Sequence, residues 1–228
     1  MKKLIICLMA ALIIVPGCGN MNQTTSGGLI GGGAGAAVGA GLGALIGKGK
    51  GAAIGAAIGS AVGAGAGVLI GRKMDKKAEQ LEKELENAKV ETVTDVNGLE
   101  AIKITFESGL LFKTGKSDLS AASKNDLAKF ATSMKDMADT DITIYGHTDN
   151  TGTAAVNERL SLERAGAVKN YLKSLGIADA RMTSEGKSFN EPVADNSTEA
   201  GRAQNRRVEV YVTANKAMIE QAEAGTLN

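Results

Sequence analysis

The sequence predicts an α/β sandwich, in which helices cover one face of a mixed sheet of about four strands, preceded by a helical hairpin built on glycine. Three observations predict this order. Of the 30 glycines among 228 residues, 18 lie between Gly27 and Gly71. A charged segment follows from Arg72. Residues 91–213 then alternate between patterns typical of strands and of helices, as expected of one α/β unit.

The first 17 residues have the pattern of a bacterial signal peptide. Two lysines precede an apolar run over residues 4–15, which is too short to span a bilayer. The run ends in Val15-Pro16-Gly17-Cys18, which resembles the lipobox of bacterial lipoproteins, although Pro16 departs from the small residue usual there. An ordinary secretory signal followed by an unrelated cysteine is the alternative.

The lipobox resemblance implies that Cys18 is acylated, palmitate included, and becomes the first mature residue. Three acyl chains exceed the two signals that stable membrane attachment requires. Gly19, rather than aspartate, follows the cysteine, and by the sorting behaviour of enteric lipoproteins this implies the outer membrane. Residues 18–26 are then a lipidated N-terminus with a short tether.

Residues 27–71 carry a glycine at every fourth position from Gly31 to Gly71, separated mostly by Ala, Ile, Leu and Val. Glycine costs about 1 kcal/mol relative to alanine in a solvated helix, so the repeat favours a helix packed in a membrane or against a partner. Residues 28–47 and 51–71 are each long enough to cross about 30 Å of hydrocarbon. We expect a membrane-inserted or membrane-apposed hairpin that self-associates. A periplasmic oligomerisation element and a flexible spacer are the alternatives.

Residues 72–90 predict a charged amphipathic linker helix. Eleven of the 18 residues from Arg72 to Lys89 are charged, while apolar residues recur at spacings of four and three. The apolar positions are Met74, Ala78, Leu81, Leu85 and Ala88. Because the pattern spans fewer than three heptads, we expect a stalk helix that packs on a neighbour rather than an independent coiled coil.

Residues 91–213 predict the compact domain. Asn97-Gly98 is a type I′ hairpin signal between strands at 90–96 and 99–106. The remaining predicted elements are a helix capped by Ser120 or Ser123 and running to about Ala138, a strand at 142–145, a helix at 154–175 ended by Gly176, and strands at 182–186 and 207–213. The pattern of residues 214–228, the C-terminal tail, leaves helix and loose coil both open.

Three polar blocks stand out in this domain, at residues 146–152, 157–165 and 201–209. Asp149 follows a predicted buried strand. Asn157, Ser161 and Arg164 lie at i, i+4 and i+7, so they share one helix face. Arg206 has the parity of the apolar positions of the last strand, whereas Arg207 and Glu209 point to the other face. The blocks therefore predict a carboxylate beside two guanidinium groups.

Together, the three blocks resemble the peptidoglycan-binding domain of the outer-membrane-protein-A (OmpA) family over about residues 95–213. The resemblance implies a ligand, the free end of the diaminopimelate side chain, that carries an ammonium and a carboxylate on one carbon. It implies that Asp149 pairs with the ammonium and Arg164 with the carboxylate in a bidentate fork. It also implies that Thr148, Asn157 and Arg206 assist. The stretch Phe106–Phe112 matches the family only loosely.

Composition excludes several other classes of protein. A net charge of +1 with no basic stripe argues against nucleic-acid binding. One histidine and two cysteines are too few for a zinc site built from these residues, and His147 has no predicted catalytic partner. We therefore expect no cofactor, no metal and no enzyme.

The expectation is an outer-membrane lipoprotein whose domain faces the periplasm and binds peptidoglycan noncovalently, tethering the membrane to the cell wall. Its acyl chains, with the glycine segment as a further candidate, hold the membrane. A peptidoglycan-degrading enzyme is one alternative. The other is a membrane-perturbing or pore-forming protein whose active part is the glycine repeat.

Overall fold

The computed structural model of the chain describes residues 62–107, 111–112 and 116–227. The predicted signal peptide, Cys18 and the glycine segment up to residue 61 lie outside the described residues. In chain order the elements are α1 (Ala64–Glu84), β1 (Ala88–Thr94), β2 (Glu100–Glu107), α2 (Ala121–Ser133), β3 (Thr140–Gly146), α3 (Ala154–Ser174), β4 (Met182–Gly186), α4 (Glu199–Asn205), β5 (Arg207–Ala214) and α5 (Lys216–Glu223).

The strands form one mixed sheet of five strands in the order β1-β2-β5-β3-β4. Neighbouring strands are antiparallel except for the parallel pair β3 and β4. The sheet therefore has one strand more than the predicted four or so, because β1 pairs along its whole length with β2 and extends the sheet. The predicted α/β sandwich with a mixed sheet is confirmed.

The core lies between the sheet and the helices. Along β2, Ile102, Ile104 and Phe106 are buried and belong to the same apolar cluster as Val208, Val210 and Val212 of β5. This alternation is the period of a strand with one face turned to a core. Helices α1 and α3 supply the covering layer, α1 over β1 and β2 and α3 over β3 and β4.

Helix α1 packs on the domain and is part of this layer. It begins at Ala64, inside the glycine segment, and ends at Glu84, six residues before the predicted end. Its side chains Met74 and Leu81 are fully buried against the domain. Ala88, the last position of the predicted seam, already belongs to β1. Within the described ranges no helix combines the length and apolar character needed to cross a membrane.

The hairpin lies where the sequence predicts it, but its turn is not of type I′. That type needs positive φ at both central residues, and here Gly98 has φ 74° while Asn97 does not have positive φ. Gly98 N–H donates to the Asp95 carbonyl at 3.1 Å, and Asp95 N–H donates to Leu99 at 2.8 Å. The buried Asp95 carboxylate also accepts from the Leu99 N–H at 2.9 Å. This side-chain acceptor favours a three-residue loop closed by a left-handed glycine.

The remaining helices have the end signals that their sequences carry. Ser120 caps α2 by accepting from Ser123 N–H, and α2 ends at Ser133, with a 3₁₀ turn over Met134–Asp136 in place of its predicted last residues. Thr153 caps α3. Two helices were not predicted, α4 and α5. In the C-terminal tail, α5 buries Met218 against the core, which decides between helix and coil.

Helix α3 approaches β3 and β4 closely because each strand ends in glycine. A Cβ atom at Gly146 would lie 2.0 Å from the Ser161 carbonyl oxygen, and one at Gly186 would lie 2.7 Å from Leu162 N. Both contacts are far below van der Waals separation and involve backbone atoms that cannot easily move. The glycines therefore set the distance between α3 and the sheet at the ends of these two strands.

We predict that Gly146→Ala destabilises the domain by about 1–3 kcal/mol or more, because the added methyl group forces α3 away from β3. Gly166→Ala is the matched control, since a Cβ there meets nothing within 4 Å and alanine favours a helix by up to about 1 kcal/mol over glycine. Urea unfolding of the two variants measures both effects. Equal stabilities would contradict the close-packing argument.

Candidate functional site

The loop after β3 is held from both sides by backbone hydrogen bonds. His147 N–H donates to the Arg207 carbonyl at 2.9 Å, and Thr148 N–H donates to the Ser188 carbonyl at 2.9 Å. Ser188 has φ 53°, the one described non-glycine residue with positive φ. These bonds join the loop to the start of β5 and to the segment after β4. The position of Asp149, the next residue, is therefore fixed by two strands besides its own.

The Asp149 carboxylate is buried and accepts several hydrogen bonds. One carboxylate oxygen accepts from the Thr151 N–H at 2.9 Å and from the Thr151 hydroxyl. The other accepts from Arg206 Nη1 at 2.6 Å, and Arg206 Nη2 reaches Glu199 at 3.2 Å. Burial alone would raise the pKa of Asp149, but the bonds from Thr151 and Arg206 outweigh it and lower that pKa. The carboxylate is therefore ionised and able to attract a cation.

The shared face of α3 lies against this loop. Asn157, Ser161 and Arg164 are all buried, as their common spacing predicts. The Asn157 amide donates to the Thr151 carbonyl at 2.9 Å. Ser161 Oγ accepts from Ser188 N–H at 3.1 Å. In this arrangement Asn157 and Ser161 brace the loops around Asp149, and the predicted ligand contact of Asn157 stays a prediction.

Arg164 is a buried guanidinium with an unused donor. It is 3% exposed, its Nε donates to the Lys116 carbonyl at 3.2 Å, and its Cζ lies 5.2 Å from the centre of the Phe112 ring. Its Nη1 is buried and has no hydrogen-bond partner among the described residues. Burial, followed by the positive charge of Arg206, lowers the pKa of Arg164, while Asp149 opposes this. A buried guanidinium with an unpartnered donor is stabilised when an anion binds to it.

The structure therefore brings the five predicted binding residues into one region, namely Thr148, Asp149, Asn157, Arg164 and Arg206. Thr148 Oγ1 is a second buried polar atom without a partner in the described part of the chain. Cys18 lies outside the described residues.

Sequence reasoning did not assign four residues that shape this region, which are Phe112, Lys116, Thr151 and Glu199. Thr151 could have been found from its position two residues after Asp149, the spacing of an Asx turn. Lys116 contributes only its backbone carbonyl, for which a sequence carries no side-chain signal.

Arg207 and Glu209 pair with each other, in keeping with their shared strand parity. Arg207 Nε lies 2.7 Å from Glu209, which also pairs with Lys103 at 2.9 Å and accepts from the Tyr211 hydroxyl at 2.9 Å. Despite burial, the nearby His147 ring, 3.7 Å away, and the charge of Arg207 hold the pKa of Glu209 well below its usual range. Burial lowers the pKa of His147. Arg206 and Arg207 thus serve different partners although they are adjacent.

No group of three His, Cys, Asp or Glu side chains that could hold a metal ion occurs in residues 62–107 and 116–227.

Family models match both halves of the chain. Residues 111–206 match the OmpA family, and residues 1–75 match the YMGG-like Gly-zipper. The first range contains every residue of the site just described, and the second contains the predicted signal, Cys18 and glycine repeat.

Curated relatives match about half of the chain. The outer membrane protein Omp38 of Acinetobacter baumannii is 39% identical over 119 residues, which are 52% of this chain and 33% of that protein. The peptidoglycan-binding protein ArfA of Mycobacterium tuberculosis is 37% identical over 112 residues, 49% of this chain and 34% of that protein. The probable lipoprotein YiaD of Escherichia coli is 34% identical over 112 residues, 49% of this chain and 51% of that protein. The chain spans about a third to a half of the length of these relatives.

A solved structure shares the fold. The cell wall anchor of the type VI secretion system (T6SS) from Pseudomonas aeruginosa superposes with a TM-score of 0.52 at 27% identity, covering 62% of this chain and 97% of that one. The loop that carries Thr148 and Asp149 lies within the range that the OmpA family model matches. The chain therefore carries an OmpA-like domain, matched by the family model over residues 111–206, and an N-terminal segment that matches the YMGG-like Gly-zipper model.

Proposed function

We propose that the chain is an outer-membrane lipoprotein that binds peptidoglycan noncovalently through its OmpA-family domain and so ties the membrane to the cell wall. The observation that carries the proposal is the buried Arg164 guanidinium, whose Nη1 has no partner among the described residues, in the same site as the ionised Asp149. The name of ArfA, a relative over this region, states peptidoglycan binding, and the T6SS structure is a cell wall anchor.

The ligand in this proposal is the free end of a diaminopimelate side chain. Its carboxylate binds Arg164 and uses the unpaired Nη1, because a guanidinium matches a carboxylate with two parallel hydrogen bonds. Its ammonium binds Asp149, whose oxygens retain lone pairs beyond the bonds to Thr151 and Arg206. The buried Thr148 hydroxyl supplies a further polar contact. Binding is noncovalent, and the proposal includes no catalytic step, metal or cofactor.

Arg206 has a second task in this site. Its pKa is raised, first by the hydrogen bond to Asp149, so it stays charged and holds that carboxylate in place. Its side chain is 32% exposed, whereas the side chain of Asp149 is 6% exposed. Arg206 thus lies at the entrance, where it attracts the ligand carboxylate and keeps Asp149 oriented. Asn157 contributes by holding the Thr151 carbonyl.

The membrane half of the proposal rests on the N-terminal sequence. Acylation of Cys18 anchors the chain, and the glycine segment packs against the membrane or against a second copy. YiaD is a probable lipoprotein and Omp38 an outer membrane protein, which supports the same envelope location for this chain. The domain then faces the periplasm, where peptidoglycan is accessible.

We predict that Asp149→Ala and Arg164→Ala each weaken sedimentation with purified sacculi by about 30-fold or more. Each change leaves one buried charge of the bound ligand unpaired, which costs about 2–5 kcal/mol. Arg159→Ala is the matched control, because this arginine lies on the same helix with its side chain 72% exposed. Circular dichroism melting checks that the variants fold. Wild-type sedimentation by both site variants would refute the site.

We also predict that the domain discriminates between stem peptides. A diaminopimelate stem should bind about 10- to 100-fold more tightly than a lysine stem, since lysine lacks the carboxylate that forms charged hydrogen bonds worth about 1.5–3 kcal/mol. Arg164→Lys should shrink this ratio, because an ammonium cannot form the fork. Isothermal titration with soluble muropeptides measures the ratio. Equal affinity for both stems would leave wall binding intact as a proposal but exclude diaminopimelate recognition.

A further inference from the structure

A basic groove of about 390 Å³ lies beside α1, on the part of the molecule farthest along β3 from the candidate site. Its charged lining consists of four cations and one carboxylate, Arg72, Lys73, Lys76, Lys77 and Asp136. Leu69, Met137 and Leu227 add apolar surface. The groove therefore combines positive charge with apolar surface.

Packing of α1 on the domain leaves these cations at the surface. Met74 and Ile70 are buried in the core, so residues on the other side of the helix face outward. Lys77 is the exception, since it is buried and binds Asp136 at 2.8 Å and the Ser133 carbonyl at 3.0 Å. This pair neutralises the one carboxylate of the groove. Arg72 and Lys76 are exposed and remain as excess positive charge.

Charge is distributed unevenly along α1. The four cations of the groove lie within residues 72–77, a stretch that contains one acidic residue, Asp75. The following stretch up to the end of the helix contains Glu79, Glu82 and Glu84 with one cation, Lys83. The basic half is thus the one nearer to the residues that precede the helix. Helix stability alone does not explain why basic and acidic residues are separated along α1. Favourable i,i+4 ion pairs form where residues of opposite charge are interspersed.

The groove and the candidate site lie at opposite ends of the sheet. Asp136 and Met137 come just before β3, whereas Thr148 and Asp149 come just after it. Seven residues of strand span about 20 Å. Helix α1 enters at the groove end, where Gly71 lies next to the Glu100 side chain at the start of β2. The chain that leads back to Cys18 therefore leaves the domain at the groove.

We propose that the groove docks on the anionic phospholipid surface of the membrane in which the chain is anchored. This inference rests on the proposed function, which places the preceding segment in that membrane. Near an anionic surface each lysine or arginine contributes about 1 kcal/mol of attraction within a Debye length of about 8–10 Å. Docking at this end turns the Asp149 and Arg164 end away from the membrane and toward the wall.

The test measures how tightly the full chain carrying Cys18→Ser, a change that removes the acyl anchor, binds to two kinds of lipid vesicle. Lipid titration with flotation is done with phosphatidylcholine vesicles and with vesicles containing 30% phosphatidylglycerol, a fraction chosen as about that of an anionic bacterial leaflet. Lys48 and Lys50 of the glycine segment also favour anionic vesicles, so the contribution of the groove is taken from the comparison with the groove variant, which leaves that segment unchanged. We expect at least about tenfold tighter binding to the anionic vesicles at low salt, falling steeply at high salt.

Arg72→Gln/Lys76→Gln should lower this preference by about tenfold or more. The matched control is Lys124→Gln/Arg159→Gln, which removes two exposed charges elsewhere in the domain and should keep the preference. Equal binding to both vesicle types, a preference that survives in the groove variant, or the same loss in both variants would overturn the proposal. Sacculus sedimentation of the same proteins tests wall binding separately, and the groove variant should retain it.

Discussion

The close approach of α3 to the ends of β3 and β4 is the constraint on which the site depends. Gly146 and Gly186 leave no room for a side chain between strand and helix, so the helix backbone at Ser161 rests almost on the sheet. This contact places Asn157 one turn before, and Arg164 one turn after, a point fixed at the strand ends. The loop that carries Thr148 and Asp149 starts from the same point. The sheet ends and α3 therefore hold the Asp149 carboxylate and the Arg164 guanidinium in one region, where the charge of Asp149 acts on Arg164.

Asp149 and Arg164 differ in how many of their polar atoms have hydrogen-bond partners. Asp149 has Thr151 and Arg206 as partners, and its lowered pKa reflects a stabilised negative charge. Arg164 has a carbonyl and an aromatic ring but an unpartnered Nη1 among the described residues. Leaving a buried donor unsatisfied costs about 1–3 kcal/mol, more when it is charged. Such a cost is typical of a binding site that is completed by its ligand. Arg207 also has a buried Nη1 without a partner among the described residues, but its charge is paired with Glu209 at 2.7 Å.

The two ends of the domain have different chemistry because of how the chain enters it. Helix α1 packs along β1 and β2 from the groove end, and its buried stripe directs the basic residues outward there. The strands then carry the chain toward the other end, where the polar blocks collect. A domain with these two poles can bridge two surfaces, and its length sets the distance between them. In the proposed arrangement the sheet is a spacer between membrane and wall as well as a scaffold for the site.

Sequence patterns by themselves determined the strands, the two helices α2 and α3 and the shared face of Asn157, Ser161 and Arg164, and they narrowed the cap of α2 to Ser120 or Ser123. These features follow from periods of 2 and 3.6 residues and from capping chemistry, which involve only chain neighbours. The family resemblance pointed to Asp149 and Arg164 as partners for one ligand, on motifs that the family model also covers.

Tertiary structure alone decided the remaining features, because they depend on groups far apart in sequence. The Arg206–Asp149 bond joins residues 57 positions apart, and the Arg164–Lys116 bond joins residues 48 apart. Whether α1 stands apart or joins the core, and whether the C-terminal tail is helical, was decided by burial of Met74 and Met218. The hairpin turn depended on the Asp95 carboxylate, an acceptor that the Asn-Gly signal does not include. Local periodicity determines where helices and strands form. Tertiary packing determines which distant group each polar atom bonds to, because it alone brings those groups together.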